Sequence, residues 1–386
     1  MFHKTVSRLR CPALTEEGLC ASPLTLRPEK EINGDVRSGL LVCESCGECY
    51  PILEGVAVLV ADVGGYLHAH AKGIRNWVPE AMIPAGFREI VRAGLEEALE
   101  IHGEEHQEED LEAERVTSLY VMTHFLKGAT SREEWWKPEA GDPASGSFDP
   151  VFDELIRKHW EQGPFARISE LLTAELGSSR RSLIELGCGV GGLALALEPR
   201  LSAYLGIDSS FASIALARHL VLGAPAHGEV RIPGDLLNGP VSRPLPPGSH
   251  HGGHSLGDGA DFVVSDAVAP AAEPAAWDLC ASLNMIDMLD EPEALPRVQH
   301  ELLVDGGIAV QSCPYIWHPR VARELRERLG LEGRADSAAT VEHLYREQGF
   351  EMLRSAAHVP WLFFKHLRQM EIYSVHLFIG RKTGQA

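Results

Sequence analysis

The sequence predicts an α/β fold built on a parallel sheet, and three apolar runs predict it. Leu183-Ile184-Glu185-Leu186 leads straight into Gly187-Cys188-Gly189-Val190-Gly191-Gly192, after which Leu193 to Leu197 reads as a helix. That is a buried strand, a tight turn and a helix start, and the glycines let a ligand lie against main-chain N–H groups. Tyr204-Leu205-Gly206-Ile207-Asp208 follows, its acid 21 residues past Gly187 and placed to hold a ribose hydroxyl pair. Phe262-Val263-Val264-Ser265-Asp266 is the third run. Three apolar runs, each ending in a polar residue, place one nucleoside ligand at the carboxyl edge of a parallel sheet.

The remaining elements follow in order. Phe87, Ile90, Val91, Leu95 and Leu99 have helical spacing, and so do Val116, Leu119, Tyr120, Met122, Thr123, Phe125 and Leu126. Residues 63–176 are therefore expected to form a helical region that lids the cofactor and shapes an acceptor pocket. Trp135, Trp136 and Trp160 either line that pocket or belong to the core. Pro138 to Pro150 is rich in Gly, Pro, Ser and Asp and predicts an exposed loop. Ile168 to Leu176 is a helix leading to the glycine turn, and Ser209 to Leu222 is the second helix of a domain spanning 177–386. Residues 238–259 are an insertion rich in Pro, Gly, Ser and His; His250, His251 and His254 could ligate a metal, but a surface loop is the simpler expectation. Trp277 to Leu283 predicts a fourth strand, Pro292 to Leu303 a helix, Gly307 to Ser312 a fifth strand, and Ser374 to Arg381 a last one.

Composition narrows the function. The 386 residues allow more than one domain, and 45% apolar with 23% charged residues is ordinary for a globular protein. No apolar run reaches the length of about 18 residues that a membrane span needs. Met1 to Arg10 lacks the apolar core of a signal peptide, so a cytoplasmic protein is expected. The net charge of −20 argues against tight binding to a nucleic-acid backbone. Part of the excess lies between Glu96 and Glu114, most simply a solvated helix face.

Five of the eight cysteines fall in the first 49 residues. Cys43 and Cys46 have the C-x2-C spacing that lets two thiolates share one tetrahedral zinc, and a second pair from another knuckle would close the site. Leu9-Arg10-Cys11-Pro12, Gly39 to Cys46 and Tyr50 to Leu59 resemble the Trm112-like zinc-binding domain, over about residues 6–62 of an N-terminal domain spanning 1–62. That family has a C-x2-C first pair, whereas here eight residues separate Cys11 from Cys20. The resemblance implies a structural zinc on Cys11, Cys20, Cys43 and Cys46, with Cys49 the competitor for Cys20. The apolar tail Val56 to Val60 is expected to pack on a neighbour.

A glycine-rich turn also serves dinucleotides. Glu185, two residues before the first glycine, would repel a pyrophosphate and welcome a sulfonium or an α-amine. Glu-x-Gly-x-Gly-x-Gly, then Gly-Ile-Asp, then a distal Asp resemble the first three motifs of the class I S-adenosylmethionine-dependent methyltransferases. The resemblance implies a Rossmann-like seven-stranded domain, with a helical insert and a small zinc-ribbon-like N-terminal domain beside it. It also implies a cofactor held by Glu185, Gly187, Gly189 and Gly191 at its methionine part, by Asp208 at the ribose and by Asp266 at the adenine amine, with Ser209, Ala267 and Asn284 as further cofactor-binding residues.

Asn284-Met285-Ile286-Asp287, with Asp290-Glu291-Pro292, Asp305-Gly306-Gly307 and Ser312-Cys313-Pro314-Tyr315-Ile316-Trp317, is similar to the imidazole N-methyltransferases of mercaptohistidine and carnosine. Tyr120 to Phe125 looks like a helix segment of the former. The resemblance implies a small-molecule or peptide acceptor with a histidine-type imidazole. A neutral imidazole is already nucleophilic, so the protein needs to align it and hold its distal N–H. Asp287 is the candidate for that carboxylate, with a helix N-cap as its structural alternative. Tyr315 and Tyr373 are candidates to position the substrate, with core packing as theirs. Cys280 and Cys313 read as buried strand thiols. Two rivals stand beside this reading: an O- or C-methyltransferase of natural-product chemistry, and a non-catalytic Trm112-like partner protein.

Overall fold

The computed structural model describes residues 1–16, 18–101, 118–121, 123–125, 150–176, 179–224, 229–232, 241–244, 259–366 and 369–384. The N-terminal segment carries β1 (Leu14–Thr15), β2 (Gly18–Leu19), β3 (Leu24–Ile32), β4 (Asp35–Cys43), β5 (Cys49–Leu53) and β6 (Val56–Leu59). Helices Val63–Ala69, Ala71–Trp77, Arg88–Ile101, Pro150–Gln162 and Ala166–Leu176 follow. The sheet-forming half contains β7 (Arg181–Leu186), β8 (Leu201–Asp208), β9 (Glu229–Ile232), β10 (Val241–Pro244), β11 (Ala260–Ser265), β12 (Trp277–Leu283), β13 (Leu303–Cys313), β14 (Phe350–His366) and β15 (Gln369–Lys382). Trp135, Trp136, Met122, most of the 238–259 insertion with its three histidines, and the side chain of Trp160 lie outside the described residues.

Seven strands form the expected Rossmann-like sheet, in the order β11-β8-β7-β12-β13-β15-β14. The first five are parallel, and β15 enters antiparallel between β13 and β14. Their apolar runs are buried on both faces because helices cover both. Leu183, Phe262, Leu279 and Leu377 point into one core with Leu193, Ile214 and Phe165. The alternate residues Ile184, Ile207, Cys280 and Phe378 point into the other with Trp277 and Tyr345. The chain order reverses between β7 and β12, so the loops after these strands part there and open the crevice in which such sheets hold ligands.

The C-terminal hairpin differs from the sequence expectation. Instead of a short final strand over Ser374–Arg381, β14 and β15 form a long ribbon in which only His376 to Arg381 pairs with β13. The rest overhangs the carboxyl edge of the sheet. Pro360 conceals β14 in the sequence, yet it is admissible there because β14 is the outermost strand and Pro360 has no further neighbour to bond. The fifth strand likewise starts earlier than expected, at Leu303, where the preceding helix ends.

The neighbour of the Val56–Val60 tail is β11. Ala57, Val58 and Leu59 pair in parallel with Val263, Val264 and Ser265, so β6, β5, β4 and β3 continue the same sheet to eleven strands. A buried ion network closes the seam. Arg218, from the helix Phe211–Leu222, is 1% exposed; it meets Asp261 at the head of β11 and Asp35 of β4, the latter at 2.6 Å. Arg37 meets Asp35 at 3.1 Å and also pairs with Glu54. Such charges are tolerated in a core only when paired.

Candidate active site

The turn after β7 is held by three glycines with left-handed backbone: φ is 72° at Gly187, 52° at Gly189 and 79° at Gly191. Two of them are also needed for contact. A Cβ on Gly187 would lie 2.7 Å from Met285 Sδ, and one on Gly191 would lie 2.8 Å from Phe262 Cε1. Over Gly189 the surroundings are open, the nearest atom to a Cβ being His124 Cε1 at 4.0 Å. Gly189 is thus the position at which a ligand can approach the main chain.

Glu185 is 3% exposed and accepts a hydrogen bond from Tyr204 Oη at 2.5 Å. Burial pushes its carboxyl up to about 8, with the nearby Asp208 adding to the rise. Asp208 ties the first two strand ends together: its carboxylate accepts from the backbone N–H of Gly189 and of Ser210, both at 2.9 Å. Burial raises Asp208 as well, against those two hydrogen bonds. Among the described residues no Lys or Arg pairs with either acid. Ser209 is exposed beside them, and its carbonyl accepts from Tyr66 Oη at 2.7 Å. Asp266 is exposed at the end of β11 and accepts from the N–H of Val268 at 2.8 Å; Ala267 is half-buried next to it.

Across the crevice, Asn284 ends β12 with φ 54°, a conformation rare outside glycine. Ser312 secures it twice, its carbonyl accepting from Asn284 N at 2.7 Å and its hydroxyl donating to Asn284 Oδ1 at 2.9 Å. Asp287 lies in a single helical turn, Ile286–Met288, and is 5% exposed. Its Oδ2 accepts from the N–H of Ile316 at 2.5 Å, which draws the loop after β13 against the loop after β12. It caps no helix by that bond. Tyr315, also left-handed at φ 60°, stacks near Trp317 with ring centres 5.8 Å apart. Its hydroxyl bonds His376 Nδ1 at 2.7 Å.

The structure does not bring the two candidate tyrosines together. Tyr315 packs with the core that holds Cys313 and Phe378, whereas Tyr373 packs with the opposite one. Tyr373 belongs to the overhanging ribbon; its hydroxyl donates to Glu371 at 2.5 Å, and burial with that carboxylate lifts it to about 12. Cys280 and Cys313 are buried thiols, as expected.

His124 lies over the glycine turn, where it would collide with any side chain on Gly192. His124 packs edge-on against Phe165, and Phe165 against Trp361 of the ribbon. Burial holds the His124 imidazole down to about 3, so it stays neutral, and among the described residues its Nδ1 has no partner. Burial and the Asp208 charge raise the Tyr120 phenol. His376 and Glu342 carry no motif spacing in the sequence; only the fold places them beside the candidates.

Four cysteines form a second centre. The Sγ atoms of Cys11, Cys20, Cys43 and Cys46 all lie within 4.8 Å of one another, with Cys11 to Cys46 at 3.5 Å and Cys20 to Cys43 at 3.6 Å. A tetrahedral site with metal–sulfur bonds near 2.3 Å spaces its sulfurs about 3.8 Å apart, whereas a disulfide needs about 2.0 Å. The donor set therefore fits a metal ion. The long gap after Cys11 folds outward as the β1–β2 hairpin, and backbone bonds Cys20 N to Ala13 O and Ala21 N to Cys11 O bring Cys20 back to the cluster. Cys49 is turned away toward Gly47 O, at 3.7 Å.

No family model matches the sequence, and no curated protein does. Solved structures give faint likenesses. One is a Haloferax volcanii complex between the Trm112 methyltransferase activator and its candidate methyltransferase, at 14% identity over 61% of this chain and 93% of that one, TM-score 0.38. A second is magnesium protoporphyrin IX methyltransferase from Synechocystis with bound SAH, at 14% identity over 68% and 97%, TM-score 0.36. A third, from Thermotoga maritima, is described as a possible histamine N-methyltransferase, at 17% identity over 60% and 96%, TM-score 0.33. The fold of this chain rests on its own strand order rather than on these likenesses.

Proposed function

We propose that the chain is an S-adenosylmethionine-dependent methyltransferase acting on an imidazole nitrogen of a histidine-derived small molecule or peptide. One observation carries the reading most: Glu185 is a buried acid and Asp208 a half-buried one, neither with a Lys or Arg partner among the described residues, beside an open approach to the Gly189 main chain. Uncompensated buried acids favour a cationic ligand and disfavour a pyrophosphate. Bound S-adenosylmethionine supplies an electrophilic methyl group on a cationic sulfur.

In this reading Glu185 faces the cationic methionine part, Gly187, Gly189 and Gly191 offer main-chain approach, and Asp208 with Ser209 takes the ribose. Asp266, with Ala267 beside it, takes the adenine amine, and Asn284 meets the cofactor from across the crevice. Asp287 holds the acceptor's distal N–H, selecting its tautomer and stabilising the cation that forms. Tyr373 contributes from the ribbon side. The Cys11, Cys20, Cys43 and Cys46 cluster holds a structural zinc in a Trm112-like knuckle. The reducing cytoplasm would keep those thiols available.

The test is incubation with labelled S-adenosylmethionine and a panel of histidine, mercaptohistidine, carnosine and histidine-containing peptides. Label on an imidazole nitrogen, lost in Asp287→Asn, supports the reading. Cofactor binding without imidazole transfer would redirect the search to phenols and carbon acids. Absence of binding in a calorimeter would overturn the methyltransferase assignment.

A further inference from the structure

We propose that Tyr315, His376 and Glu342 form a proton relay that drains the acceptor side of the site. The inference rests on the methyltransferase reading and adds the fate of the acceptor's proton. Tyr315 Oη lies 2.7 Å from His376 Nδ1, and His376 Nε2 lies 3.2 Å from Glu342 Oε1. The three come from the loop after β13, from β15 and from the helix Ser337–Glu347. His376 is 4% exposed.

The surroundings fix which way the hydrogen bonds run. Burial pushes the Glu342 carboxyl up, but hydrogen bonds from Ser355 and Arg346 outweigh it, so Glu342 is ionised. Ser355 Oγ donates to Glu342 Oε1 at 2.6 Å and lies 3.1 Å from His376 Nε2. An ionised carboxylate only accepts, so Nε2 must carry the proton. Nδ1 then offers a lone pair, and the Tyr315 hydroxyl donates to it. The same phenol oxygen keeps its own lone pairs free to receive a proton. Burial lowers His376, against the Glu342 charge, so the ring rests neutral and able to accept. The other charged group felt by His376 is Asp336, at the cap of the Ser337–Glu347 helix, with Arg346 on the far side of Glu342. Tyr315 feels Asp287, Cys313, Glu342 and Asp336, and is raised by burial and these neighbours. The phenol therefore stays protonated and passes a proton on only as it gains one.

The step balances. As the acceptor's lone pair takes the methyl group, with the carbon–sulfur bonding pair left on sulfur, the acceptor's N–H proton moves to Tyr315 Oη. The Tyr315 O–H proton moves to His376 Nδ1. His376 becomes a cation facing Glu342, and Tyr315 ends neutral. Asp287 accepts the same N–H before the transfer, fixing the tautomer, and Tyr315 takes that proton as the imidazolium forms. His376 and Glu342 act through Tyr315 and are positioning residues.

Two measurements test this on the full chain. Nitrogen-15 NMR of His376 should show the Nε2-protonated tautomer; the Nδ1-protonated tautomer would overturn the relay, whatever the protein's activity. With an acceptor that the wild type methylates, Tyr315→Phe and His376→Gln should each lower kcat by about 10²–10⁴-fold, as for other general bases, with cofactor affinity unchanged. Glu342→Gln, the variant closest in shape, should shift the acid limb of the kcat profile to lower pH, because the Glu342 charge that raises His376 is gone. Wild-type rate and profile in Tyr315→Phe would overturn the relay. Failure of the wild type to bind S-adenosylmethionine would instead sink the methyltransferase reading, while the tautomer would still report on the relay.

Discussion

Val58 pairs with Val264 in parallel register, so the strand that closes the cysteine-rich segment is the direct neighbour of the strand that leads into Asp266. Neither residue exposes any surface. Val58→Asp would bury an unpaired charge at this seam. We expect it to destabilise the whole sheet by on the order of 3–5 kcal/mol, read by chemical denaturation, with Val58→Ile losing far less. Two separate unfolding transitions in the wild type would show that the two segments fold independently.

Arg218 tests the same seam electrostatically. Arg218→Leu leaves the buried Asp261 carboxylate without its guanidinium, while the half-buried Asp35 keeps Arg37. The loss should be about 3–5 kcal/mol. The double variant with Asp261→Asn should recover part of it, giving a coupling energy in a double-mutant cycle. Additive losses would mean that the two charges do not interact.

Glu185 links ligand binding to pH. With its carboxyl at about 8, it is mostly protonated at neutral pH. A cation beside it favours the ionised form, so binding should release about one proton. Affinity for S-adenosylmethionine should rise as the pH approaches about 8 and level off above it. Calorimetry in buffers of different ionisation enthalpy reads the proton directly. Glu185→Gln should abolish the release; a release that survives would assign the proton to another group.

Metal content separates the cysteines. Cys20→Ser should lose bound zinc by elemental analysis and lower the melting temperature, while Cys49→Ser should keep both. The reverse outcome would exchange their roles.

Much of the sheet was legible because parallel strands buried on both faces leave continuous apolar runs, as in Leu183–Leu186 and Phe262–Ser265. The glycine turn was legible because Gly187 and Gly191 carry both a left-handed backbone and a close neighbour. The preference for Cys20 over Cys49 was not decidable from spacing; it depends on backbone bonds that return the chain after the β1–β2 hairpin. The identity of the tail's neighbour was hidden for a related reason: Val56–Leu59 reads as an apolar strand, but nothing in it names Val264. His376 and Glu342 were invisible as a pair, since they lie on a strand and a helix 34 positions apart. The engagement of Glu185 by Tyr204 is likewise a product of adjacent strands.

The β6–β11 pairing also decides where the sheet stops. A Rossmann-like sheet ending at β11 would offer passers-by the unpaired amides of an almost wholly apolar strand, an invitation to stick. Here that rim is moved four strands outward to β3, whose Arg27-Pro28-Glu29-Lys30-Glu31 is mostly exposed, densely charged and interrupted by proline. Such a rim repels further strands. The cysteine-rich segment therefore serves as a selvedge: it finishes the fabric of the sheet so that it does not fray into aggregates.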